Sequence, residues 1–84
     1  MTNQELIEQC YQNEENANMC TAKALTRLDY GSAIDGNEAA YRAALNRLML
    51  TTGKARSKAL DDLERIAEEY HILNNQLNTN GGTA

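Results

Sequence analysis

Apolar and small residues recur along most of this chain with a period close to that of an α-helix. Tyr41, Leu45, Leu48, Thr52, Ala59, Leu63, Ile66, Tyr70, Leu73 and Leu77 fall on one side of a straight helix. Because the phase carries across Gly53, the pattern predicts one long helix over 38–77, bent at Gly53 at most. A glycine inside a helix costs only ~1 kcal/mol relative to alanine, which burial of the continuing stripe can offset. If Gly53 instead ends a helix, the same residues form the second and third members of a three-helix bundle.

An earlier helix is signalled by Thr2-Asn3-Gln4-Glu5, which has the form of a capping box. Its seam reads Leu6, Cys10, Asn13, Ala17, Cys20, Ala24 and Leu28 at alternating four and three spacing. Most of these are small, so a neighbouring helix can approach closely. Between the helices, Tyr30 to Asn37 reads as a turn. Gly31 suits a left-handed C′ position, and Asp35 with Glu38 repeats the capping-box spacing.

The expected architecture is therefore an all-α helical hairpin, with a short-seam first helix and a long second one. Residues 1–77 form a single domain, and the polar, Gly-rich stretch 78–84 is a disordered tail. Folding the first helix back onto the second leaves Ile66, Tyr70, Leu73 and Leu77 with nothing in the chain to cover them. With Ala59 and Leu63 they make a coiled-coil-like seam, and they are the expected homo-oligomer interface.

Composition narrows this picture without changing it. The chain has no Phe, Trp or Pro, and about a third of its 42% hydrophobic content is alanine. Such a composition favours helix over sheet, and 84 residues supply little core for a domain on its own. A net charge of −4 argues against duplex DNA as a partner. No apolar run reaches the length of a membrane span, and the expected location is the cytoplasm, a host's if the chain is phage-encoded. Cys10 and Cys20 are too far apart on one helix to bridge.

Candidate chemistry is sparse. His71 is the one histidine, Cys10 is expected far from it, and no pair of ligands has metal-binding spacing, so neither catalysis nor a metal or cofactor is expected. The acidic run Asp61, Asp62, Glu64, Glu68 and Glu69 reads as a solvated helix face. The basic zone says more: Arg42, Arg47, Lys54, Arg56 and Lys58 occur between Glu38 and Asp61 with no acid among them. Together with Lys23, Arg27 and the ring of Tyr11, this zone is the candidate site for an anionic ligand such as a nucleotide or phosphate compound. The simpler reading pairs these cations with Glu8, Glu14 and Glu15 across the hairpin, each surface pair contributing ~0–1 kcal/mol.

In general build the chain resembles the small helical accessory proteins that phages and other mobile elements encode. That resemblance implies an inhibitor or adaptor that binds a host protein. The expected function is thus a non-catalytic oligomeric binding protein, with a nucleotide-sequestering protein as the alternative.

Overall fold

A computed structural model describes residues 2–81, and these are helical apart from short connections. The helices are α1 (Asn3–Thr26), α2 (Tyr30–Leu50) and α3 (Gly53–Gly81). They run up, down and up. The middle helix α2 packs against both others, and α1 and α3 meet only through side chains. The molecule is flat and elongated, with extents of 49 × 20 × 14 Å.

The expected long second helix is not formed. Thr51 is extended, with φ −119° and ψ 159°, and Gly53 has φ 63°. A left-handed residue cannot continue a right-handed helix, and glycine takes it without the steric cost other residues meet. The β-branched pair Thr51-Thr52 suits the extended connection. The Thr51 hydroxyl closes the end of α2 by donating to the Arg47 carbonyl at 2.8 Å.

The α1–α2 turn also lies elsewhere than the glycines suggest. It occupies Arg27, Leu28 and Asp29 only. Asp29 N–H donates to the Ala24 carbonyl at 2.9 Å and Leu28 N–H to the Leu25 carbonyl at 3.0 Å, which is a Schellman closure. Its left-handed position is filled by Leu28, at φ 56° and 71% exposed, where glycine is usual. Asp29 then caps α2, its carboxylate accepting from the Ser32 amide at 3.2 Å and the Ser32 hydroxyl at 2.7 Å. Those two bonds hold the Asp29 carboxyl below its usual pKa. Gly31, Asp35 and Gly36 are all inside α2. At the other end of α1, the Thr2 hydroxyl accepts from the Glu5 amide at 3.2 Å, as the sequence predicts.

The α1–α2 interface is built from small residues. Ala17, Thr21 and Ala24 of α1 face Ala33, Gly36 and Ala40 of α2, all buried. A Cβ on Gly36 would lie 3.0 Å from the Thr21 nitrogen and 3.1 Å from the Ala17 carbonyl oxygen, so the two backbones approach as far as glycine allows. The Thr21 hydroxyl, which donates to the Ala17 carbonyl at 3.1 Å, lies 3.4 Å from the Ala33 carbonyl across the interface. The small-residue seam is real, but it runs through Glu14 and Thr21. Asn13 and Cys20 are exposed, Leu6 is half-buried and Leu28 is exposed.

Larger side chains join α3 to this pair. Leu63 and Ile66 pack on Ala17, Ala40 and Ala44 in one cluster, and Leu73 packs on Ala24 and Ala33 in another. Asn37 donates its side-chain amide to the Ile66 carbonyl at 3.1 Å. The seam expected to lie uncovered is thus largely covered within the chain. Ala59, Leu63, Ile66 and Leu73 are buried, Tyr70 is half-buried, and Leu77 remains 37% exposed. The reason is the break at Gly53: it turns α3 back along α2, and what was to be an overhang becomes core. Of the expected polar tail, 78–81 belongs to α3 and 82–84 lies outside the described residues.

Candidate functional site

Two places gather polar chemistry. The first is the centre of the bundle, around Arg47. This side chain is fully buried, at 0% exposure. Its Nη2 donates to Glu14 Oε2 of α1 at 2.7 Å and to Asp62 Oδ2 of α3 at 2.6 Å. Its Nη1 donates to the Tyr11 hydroxyl at 3.3 Å, and the guanidinium carbon lies 4.3 Å from the centre of the Tyr11 ring. Arg65 of α3 adds longer contacts of 3.9 Å to Glu14 and 3.8 Å to Asp62. Burial by itself would lower the Arg47 pKa, but the carboxylates of Asp62 and Glu14 outweigh it and raise the value above normal.

Two cations and two carboxylates balance in charge there. The cluster ties all three helices together and has no spare positive charge to offer a ligand. Breaking a buried pair of this kind by removing one partner typically costs ~3–5 kcal/mol. The Arg47 Nε is buried without a hydrogen-bond partner, which adds to the desolvation burden of the cluster.

The remaining candidates for anion binding are not brought together. Lys23 and Arg27 are exposed at the α1–α2 turn, whereas Lys54 and Arg56 are exposed at the start of α3, at the opposite end of the bundle. At ~1.5 Å per residue the length of α2 separates those ends by about 30 Å. Arg42 lies between them on another face. Of the expected set, only Tyr11 and Arg47 touch, and they do so inside the core.

The second place is a groove between α2 and α3 of about 450 Å³, lined by Asn37, Glu38, Tyr41, Arg42, Ala67, Tyr70 and His71. Tyr41 is 40% exposed, and the Tyr70 and His71 rings meet edge to face with centroids 6.0 Å apart. Along the same two helices the surface continues apolar through Leu45 and Leu60, which are 39% and 44% exposed. Leu45 follows Tyr41 by four residues and Leu60 precedes Ala67 by seven, so both fall on the groove side of their helices. The groove escaped the sequence reading because Tyr41, Leu45 and Tyr70 were assigned to a buried stripe.

Among the described residues no group of three or more His, Cys, Asp or Glu side chains is placed to hold a metal ion. No helix of the described residues is long and apolar enough to cross a membrane. Cys10 is buried and Cys20 exposed, and both are free thiols. Comparison with protein-family models, with curated proteins and with solved structures finds no match to this chain.

Proposed function

We propose that this chain is a small non-catalytic binding protein, of inhibitor or adaptor type, that works through a protein-binding face on α2 and α3. The observation that carries this reading is the apolar surface running beside the groove through Tyr41, Leu45 and Leu60, in a protein whose buried core is mostly alanine. Large apolar side chains placed outside while alanines fill the interior cost solubility, and a contiguous patch of them marks a contact surface. Aromatic anchors beside a few charged groups, here Tyr41 and Tyr70 with Glu38 and Arg42, are the usual composition of such surfaces. Anion sequestration has less behind it, since its central cation is neutralised by Glu14 and Asp62 and the others are dispersed.

The test is photo-crosslinking in the source cell. A photoreactive amino acid in place of Leu45 should give discrete protein adducts, either to a second copy or to another protein. The same residue in place of Asn16, exposed on α1, should give none. No adduct from position 45, or the same adducts from both positions, would overturn the reading.

A further inference from the structure

Residues that meet between α2 and α3 are separated in sequence by close to whole numbers of helical turns. Asn37 and Ile66, joined by a hydrogen bond, are twenty-nine residues apart, and Arg47 and Asp62 are fifteen apart. Ala44 and Ile66 share one core cluster at a separation of twenty-two, and Ala33 and Leu73 share the other at forty. At 3.6 residues per turn these are about eight, four, six and eleven turns. A helical hairpin does not require this agreement, because its connection can present any face of the second helix to the first. Were Thr51, Thr52 and Gly53 helical, the faces by which α2 and α3 hold each other would form one stripe along a single straight helix.

Little holds the connection in its present shape. Only Thr51 and Thr52 separate the two helices, and Gly53 is exposed with nothing within 4 Å of where a Cβ would stand. Its left-handed φ of 63° is relieved if the residue turns helical. The bond from the Thr51 hydroxyl to the Arg47 carbonyl, four residues back, is one that a threonine inside a helix also makes. Short hinges of this kind let an element exchange between identical chains. The same residue pairs fix the register of such an exchange, since the midpoint of each in sequence falls between 51 and 55, on the connection. Two straightened copies, laid antiparallel about a two-fold axis through the connection and perpendicular to both helices, therefore remake every one of those contacts. Because α1 packs on α2 and touches α3 only through side chains, the first helix of each copy stays on the outer flank of the pair.

We propose that the Thr51–Gly53 connection is a swap hinge. In the exchanged state α2 and α3 join into one continuous helix, and α3 packs on α1 and α2 of a second copy. Arg47 then receives Asp62 from the second copy, and each groove is lined by Tyr41 of one chain with Tyr70 and His71 of the other. No new surface has to be buried. The balance lies between the freedom lost when two chains join and the two left-handed glycines released, and it does not depend on what the groove binds.

Refolding from urea at high protein concentration, followed by size-exclusion chromatography, tests it. A dimer should form beside the monomer and persist on dilution, because it returns only by releasing α3. Gly53→Ala should raise the ratio of dimer to monomer about tenfold or more, since alanine disfavours the left-handed turn of the monomer and favours helix at both hinges of the dimer. A flexible glycine-serine insertion between Thr52 and Gly53 should abolish the dimer and leave the monomer folded by circular dichroism. The dimer's construction is read from spin labels at Glu38→Cys and His71→Cys, with Cys10 and Cys20 replaced by alanine. These two positions line the same groove in the monomer. In a dimer refolded with excess unlabelled chain, the labels should lie ~50 Å apart along one helix. The inference would be overturned if neither wild type nor Gly53→Ala dimerises, if labels within one chain of the dimer stay close, or if the insertion variant dimerises as well as wild type.

Discussion

The two interfaces of α2 solve the same problem with opposite means. Against α1, α2 presents Ala33, Gly36 and Ala40, and the helices close until the Gly36 backbone meets that of Thr21 and Ala17. Against α3, contact is made by Leu63, Ile66 and Leu73, longer side chains that reach over to the same alanines. The first interface gains from backbone proximity and loses little side-chain entropy, because alanine and glycine have none to lose. The second gains from buried area, ~1.5–3 kcal/mol for a Leu or Ile fully removed from water. One interface is therefore intolerant of added atoms and the other of lost ones.

The cluster that spans both interfaces should be the most sensitive point. Arg47→Met leaves the Glu14 and Asp62 carboxylates without their cation, and a loss of ~3–5 kcal/mol is expected. That is a large part of the ~4–13 kcal/mol available to a domain of this size, and the melting temperature by circular dichroism should fall accordingly. A variant as stable as wild type would mean that the cluster closes around water or Arg65 instead.

Next in size is a pair of substitutions that separates the interfaces. Ile66→Ala should cost ~2–5 kcal/mol by opening a cavity between α3 and the alanines of α1 and α2. Gly36→Ala adds a single carbon where backbone atoms leave no room, and should cost ~1–3 kcal/mol despite the better helix propensity of alanine. Hydrogen exchange should distinguish them: Ile66→Ala loosens α3 first, Gly36→Ala loosens α1 first. The same exchange pattern from both would show that the three helices open only as one unit.

The smallest effects lie at the two left-handed residues between the helices, and they should differ in sign. Gly53→Ala should destabilise by ~1 kcal/mol, since φ 63° disfavours any side chain even though nothing lies within 4 Å of a Cβ there. Leu28→Gly should stabilise by ~0.5–1 kcal/mol by relieving the same conformation at φ 56°, with little packing lost from so exposed a side chain. Urea titrations resolve both. A gain from Gly53→Ala would restore the continuous helix that the sequence pattern favours.

That pattern misled for a physical reason. Tyr41 and Leu45 share a phase with Leu63, Ile66 and Leu73, but in the structure they lie at the rim of α2 and alanines occupy its centre, with Leu48 packed partly buried against them. A middle helix flanked on two sides buries small residues, so the largest apolar side chains mark its edge. The helical class, the Thr2 cap and the small-residue seam of α1 were legible because each is local. The turn was not, because Leu28 gives no sign in its chemistry of adopting a conformation glycine prefers. Gly36 was read as a breaker, although here glycine serves close approach inside a helix. The meeting of Tyr11 with Arg47 could be suspected from residue type, but its partners Glu14 and Asp62 belong to different helices and share no spacing with it.

Asp29 ends one helix and begins the next, and this has a consequence in time as well as in space. With only three residues between α1 and α2, the first contacts across the turn, such as Thr21 with Ala33, close a segment of twelve residues. Loops of about that length close in ~10–100 ns, whereas Asn37 with Ile66 must bridge twenty-nine and Glu14 with Arg47 thirty-three. The chain should therefore zip outward from Asp29, add α3 to the finished pair, and lock Arg47 last, since that side chain needs all three helices in place. Substitutions near the turn, at Ala24 or Ala33, should slow folding, while those at Glu14 or Asp62 should mainly speed unfolding. The most buried charge in the protein would then act less as a guide to the fold than as the latch that keeps it shut.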